Sequence, residues 1–128
     1  MQNEVREISY RFAVDIVKFA KGCNKFDRID QILLSQLVKS ATSIGANIEE
    51  ACSAQSKRDF LAKMYIAFKE ASEARYWLYI FKETNVENKD QFNKLLKTSS
   101  SIINLLSTIT KSTRKNLNLN SDTKSLSR

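Results

Sequence analysis

Residues 33–78 read LLSQLVKSATSIGANIEEACSAQSKRDFLAKMYIAFKEASEARYWL, and this stretch decides the fold. In its second half, continued to residue 81, Phe60, Met64, Ala67, Ala71, Ala74, Leu78 and Phe81 recur at spacings of 4-3-4-3-4-3. That rhythm places all seven on one stripe of an α-helix. In its first half, Leu33, Leu37, Ser40, Ile44, Asn47 and Ala51 keep the same rhythm, and Leu34, Val38, Ala41 and Ile48 widen the face. Between the halves, Ser56 followed by Asp59 has the form of a capping box, which predicts a fresh helix start near Lys57. Two long amphipathic helices in direct succession follow from this stretch alone.

The flanks extend the pattern. Val5, Ile8, Phe12, Ile16 and Phe19 share one stripe, which predicts a helix over residues 3–21 with Gly22 as its stop. A connector spans residues 22–29, and Asp30 is the expected N-cap of a helix reaching residue 54. The third helix is expected over residues 57–84. Phe92, Leu95, Leu96, Ile102, Ile103, Leu106 and Ile109 give the apolar face of a fourth, over residues 87–115. Four helices of this length with short links predict an all-α, antiparallel, up-down-up-down four-helix bundle over residues 1–115. Residues 116–128, without a sustained pattern, are expected to be a flexible tail.

Composition supports this class. The 128 residues are 42% hydrophobic, with two glycines and no proline, so the turn residues of an all-β or α/β chain are missing. There are two cysteines, Cys23 and Cys52, and no histidine. A disulfide framework and a zinc site are therefore not expected. No apolar run approaches the roughly 20 residues of a membrane span. The N-terminus has no apolar signal core. The chain reads as soluble and cytoplasmic.

Chemistry is sparse. Gln36, Asn47, Glu50 and Glu73 can form a polar cluster inside the bundle. Bundle metal sites combine several glutamates with Glu-x-x-His, which a chain without histidine cannot complete. The cluster is expected to be structural, fixing register through hydrogen bonds. No serine has a histidine to activate it, and no glycine-rich phosphate loop is present. Neither catalysis nor a cofactor is expected.

The net charge of +7 is unevenly spread: residues 85–128 hold eight basic and three acidic groups. Lys57, Arg58 and Lys63 open the third helix, and Lys94, Lys97, Lys111, Arg114 and Lys115 line the fourth. In an antiparallel bundle, Lys57 and Arg58 come to the same end as Arg114 and Lys115. Such a surface can bind nucleic-acid phosphates without reading bases. Tyr65, Tyr76, Trp77 and Tyr79 form an aromatic flank on the third helix, suited to an interface between subunits and less readily to stacking on bases.

Residues 33–78 also resemble the four-helix-bundle family of 23S rRNA intervening-sequence proteins. The resemblance rests on Gln36 and Leu37, on the block Ser43, Ile44, Ala46, Asn47, Ile48 and Glu50, and on Ser56, Phe60, Leu61, Ile66, Ala67 and Glu73. The chain departs at Gly45, where the family has proline, and at Glu49, where it has alanine. Ala51, Ser53 and Ala54 stand where the family often has Gly, Gly and Arg, so a continuous or kinked connection between helices two and three becomes an option. The resemblance implies a homopentamer of four-helix bundles. It also implies similarity to the accessory variability protein of diversity-generating retroelements, a basic pentamer that binds nucleic acid and a reverse transcriptase. Two functions are expected from this: an oligomer binding RNA or DNA through its basic end, or an adaptor whose partner is a protein such as a polymerase.

Overall fold

Val5, Ser9, Phe12, Ile16 and Phe19 form the buried stripe of helix α1 (Gln2–Lys21). The computed structural model describes residues 2–126, with side-chain surroundings as far as residue 118. Three further helices follow: α2 (Arg28–Cys52), α3 (Lys57–Thr84) and α4 (Lys89–Leu126), the last preceded by a 3-10 turn (Val86–Asn88). Each packs on the next, and α4 returns to α1, giving the up-down-up-down ring. The α2–α3 and α3–α4 seams are the most extensive, and α1–α4 is the thinnest.

The stripe on α3 is the centre of this arrangement. Met64, Ala67, Ala71, Ala74, Leu78 and Phe81 are fully buried. Three alanines in its middle let α2 and α4 approach closely, while Met64, Leu78 and Phe81 fill the wider spaces toward its ends. On α2, Leu37, Ala41, Ile44 and Ile48 are fully buried, and Leu33 and Asn47 lie at the margins. Seven predicted apolar residues of α4 are buried, and Ser99 and Thr110 join them. Their hydroxyls donate to Leu96 O at 2.7 Å and Ser107 O at 3.1 Å. Each polar side chain thereby meets its hydrogen-bonding demand within its own helix.

Two boundaries differ from expectation, and the open alternative at the α2–α3 connection is decided. The N-cap of α2 is Asp27: its Oδ1 accepts from the Asp30 N–H at 2.8 Å, and Asp30 falls in the first helical turn. Two aspartates three apart compete for this role, and the extended backbone at Asp27 decides it. At the α2–α3 connection, the two helices are separated by a real break. Ser53 N–H donates to Glu50 O at 3.2 Å and Ala54 N–H to Ala51 O at 3.1 Å, tightening the last turn. Ser56 Oγ then accepts from Asp59 N–H at 3.1 Å and opens α3, as its sequence predicts. Among the described residues, no backbone adopts a positive φ, so the missing glycines are not needed. The second difference is that α4 does not stop at Lys115 but continues to Leu126, so most of the anticipated tail is helical; residues 127 and 128 lie outside the described residues.

At one end of the bundle, four phenylalanines close the core. Phe19 of α1 meets Phe92 of α4 edge-on at 5.2 Å, and Phe81 of α3 stacks on Phe92 at 5.6 Å. Phe26, from the α1–α2 connector, stacks on Phe81 at 5.7 Å and pins that connector to the core.

Candidate nucleic-acid interface

The antiparallel order gathers the start of α1, the end of α2, the start of α3 and a late turn of α4 at the opposite end. They surround a hollow of about 480 Å³, lined among others by Gln2, Cys52, Gln55, Lys57, Thr113 and Asn116. Lys57 of α3 lines this hollow, and Arg58 follows it on the same helix. Lys111, Arg114 and Lys115 lie on the late turns of α4 outside that lining, and all five side chains are exposed.

Two carboxylates of this end, Glu49 and Glu50, are engaged elsewhere, while Asp59 of α3 and Glu4 of α1 stand in no ion pair among the described residues. Arg6 donates through Nε and Nη2 to the two oxygens of Glu49, both at 2.9 Å. This paired hydrogen bond holds the Glu49 carboxyl below its ordinary range and raises the Arg6 guanidinium above its own. Glu50 lies 3.7 Å from Lys63 Nζ. Among the described residues, no carboxylate stands within 4.0 Å of Lys57, Arg58, Lys111, Arg114 or Lys115. On α4, Lys111 and Lys115 are four apart and Lys111 and Arg114 three apart, so like charges share one face. Such pairs oppose helix formation by a few tenths of a kcal/mol each. A bound anion relieves that repulsion.

Not every basic residue singled out from the sequence belongs here. Lys63 is partnered by Glu50. Lys94 lies in an open cleft of about 1190 Å³ at the phenylalanine end, whose charged lining is Asp15, Lys18, Lys25, Glu87, Asp90 and Lys94. Three cations there face three anions. Lys97 is exposed one turn further on, about 21 Å along α4 from Lys111. The eight predicted cations therefore divide into a group of five and three outliers.

The expected polar cluster inside the bundle does not form. Gln36, Glu50 and Glu73 are exposed, and Asn47 is half-buried with its Nδ2 donating to Ser43 O at 2.8 Å in its own helix. Gln36 and Asn47 stand about 16 Å apart along α2, too far to share one cluster. Glu73 instead neighbours Glu70, whose carboxyl is pushed up by partial burial and then by the charge of Glu73. Among the described residues, no group of histidine, cysteine or carboxylate side chains is arranged to hold a metal.

The aromatic flank divides too. Tyr65, Tyr76 and Tyr79 are 44–59% exposed, whereas Trp77 is half-buried against the core. The Trp77 Nε1–H is buried and has no acceptor among the described residues. The Arg114 guanidinium carbon lies 6.0 Å from the centre of the Tyr65 ring, a contact that sequence reasoning missed. It depends on how α4 is rotated about its axis, and no local pattern specifies that angle.

These features define an all-α bundle with one charge-balanced end and one basic end. The family model described as "23S rRNA-intervening sequence protein" matches residues 1–108. The chain belongs to that family. A solved relative is a crystal structure at 1.70 Å of a protein of unknown function from the S23 ribosomal protein family of Bacteroides thetaiotaomicron. It is 39% identical, with a TM-score of 0.75, and the alignment covers 84% of this chain and 98% of that one. Comparison with curated proteins finds no match. No described helix is long and apolar enough to cross a membrane. Residues 109–128, beyond the family match, hold five basic residues and one acidic one, a net +4 of the chain's +7.

Proposed function

We propose that this protein is a non-enzymatic, homo-oligomeric bundle that binds the phosphate backbone of RNA or DNA through its basic end. The observation that carries the reading is the group Lys57, Arg58, Lys111, Arg114 and Lys115, drawn from two helices to one end and left without carboxylate partners. Phosphate recognition needs little more than such a group, because release of condensed counterions supplies most of the affinity.

Assembly strengthens the reading. Tyr76, Tyr79 and Ile66 expose apolar surface on α3, which favours a second copy as neighbour. A pentamer is the assembly implied by resemblance to the accessory variability protein, and a ring would repeat the five cations about its axis. Light scattering at micromolar concentration is expected to give the mass of an oligomer, and a monomer would remove this element. The same tyrosines favour the second reading, an adaptor for another protein. A partner recovered after nuclease treatment, with no nucleic-acid binding by the pure protein, would establish it.

The decisive variant is Lys111→Glu/Arg114→Glu/Lys115→Glu. In a salt series, wild-type affinity is expected to fall steeply, with a log–log slope near −0.7 to −0.9 per phosphate contacted. The triple variant is expected to lose about 100-fold or more at low salt and to flatten the slope by about three. Unchanged affinity and slope would refute the site.

A further inference from the structure

The basic end and the exposed aromatic stripe meet at one residue. Tyr65 stacks on Phe68, with ring centres 6.0 Å apart and planes inclined by 26°. Phe68 packs against the core, so the tyrosine ring is braced from within. Arg114 contacts the same ring from α4, and 44% of Tyr65 remains open to solvent. Lys111 lies one turn before Arg114, and Lys115 lies one turn beyond Lys111. Tyr76 and Tyr79 share the outer face of α3, but they lie about 16 and 21 Å further along it. Among the described residues, Tyr65 alone has a cation over its ring.

Phosphates can be held by charge alone, whether strands are paired or not. A braced aromatic ring beside a planar guanidinium offers something that a duplex cannot use. Bases within a duplex are already stacked on one another, whereas an unpaired base has a free face. Building on the nucleic-acid reading above, we propose that Tyr65 backs the Arg114 guanidinium as a stacking platform, and that an unpaired base stacks on the guanidinium's outer face. Lys111 and Lys115 hold the flanking phosphates, and the basic end takes single strands in preference to duplex. Arg114 comes from the part of α4 beyond the family match, so the platform joins a family helix to an extension of this chain.

The test compares fluorescent single strands of about 16 nucleotides, RNA and DNA, with the matching duplexes at one salt concentration. The proteins are the wild type, Tyr65→Leu, Tyr65→Phe and the triple charge-reversal variant, each full length and matched in mass by light scattering. Wild type is expected to favour single strands of either sugar. Tyr65→Leu is expected to lose on the order of tenfold for single strands and to stay within about twofold for duplex, while Tyr65→Phe retains most of the affinity. Equal binding of both forms by the wild type would overturn the proposal, as would an equal loss on both in Tyr65→Leu. Loss in the triple variant without loss in Tyr65→Leu would reject the platform alone. If the triple variant binds everything as the wild type does, the basic end is not the binding site and the platform falls with it; if the wild type binds neither form, the nucleic-acid reading itself falls.

Discussion

The two ends of the bundle are built from the same four helices but solve opposite problems. At one, four phenylalanines interlock, and the charged side chains around the cleft balance three against three. At the other, the aromatic packing among the described residues is the Tyr65–Phe68 pair, Glu49 and Glu50 pair with Arg6 and Lys63, Glu4 and Asp59 stand in no ion pair, and five cations have no carboxylate within 4.0 Å. The apolar core itself runs the length of the bundle, from Phe81 and Phe92 to Val5, Ile48 and Met64. What differs between the ends is the aromatic closure of one and the unpaired cations of the other.

The sharpest way to break this comparison is Phe81→Ala. Phe81 is fully buried and touches two other rings of the cluster. Its truncation is expected to destabilise the protein by about 3–5 kcal/mol, read from urea unfolding, with nucleic-acid affinity of the folded fraction unchanged. Loss of binding in step with stability would mean that the ends are not independent. The triple charge reversal should behave in the opposite way: a large effect on binding and little change in thermal stability, because the three side chains are exposed and the reversal exchanges one set of like charges on α4 for another. The smallest effect is expected from Glu49→Gln. The Glu49 carboxyl is held below its ordinary range in the folded chain, so its ion pair stabilises above the unfolded value. That contribution is lost as pH falls through the folded value. The glutamine variant should therefore show a shallower loss of stability as pH falls through and below the ordinary carboxylate range in acid titration. An unchanged acid profile would mean that this exposed pair contributes nothing.

Much of the fold is legible in the chain because burial imposes periodicity. The 4-3 stripe on α3 and the Ser56–Asp59 start are visible in the letters and present in the structure. The α2 cap is ambiguous, since Asp27 and Asp30 are equally good residues and backbone geometry chooses between them. The end of α4 is hidden for another reason: apolar spacing fades after Ile109, yet no glycine or proline follows to stop the helix. In the candidate site, antiparallel order alone brings Lys57 and Arg58 toward Arg114 and Lys115. The pairing of Lys63 with Glu50 and the placement of Arg114 over Tyr65 depend on the rotation of packed helices, which is a property of the assembled core.

Helix α4 crosses residue 108, where the family match ends, without interruption. The angular position of Lys111, Arg114 and Lys115 is therefore inherited from the core residues upstream. Adding or removing one residue before Lys111 would swing all three by about 100° around the helix axis, whereas a change of seven would restore their direction almost fully. A length change in this extension is thus quantised: Arg114 stays over Tyr65 only where sequence is gained or lost in near-whole turns.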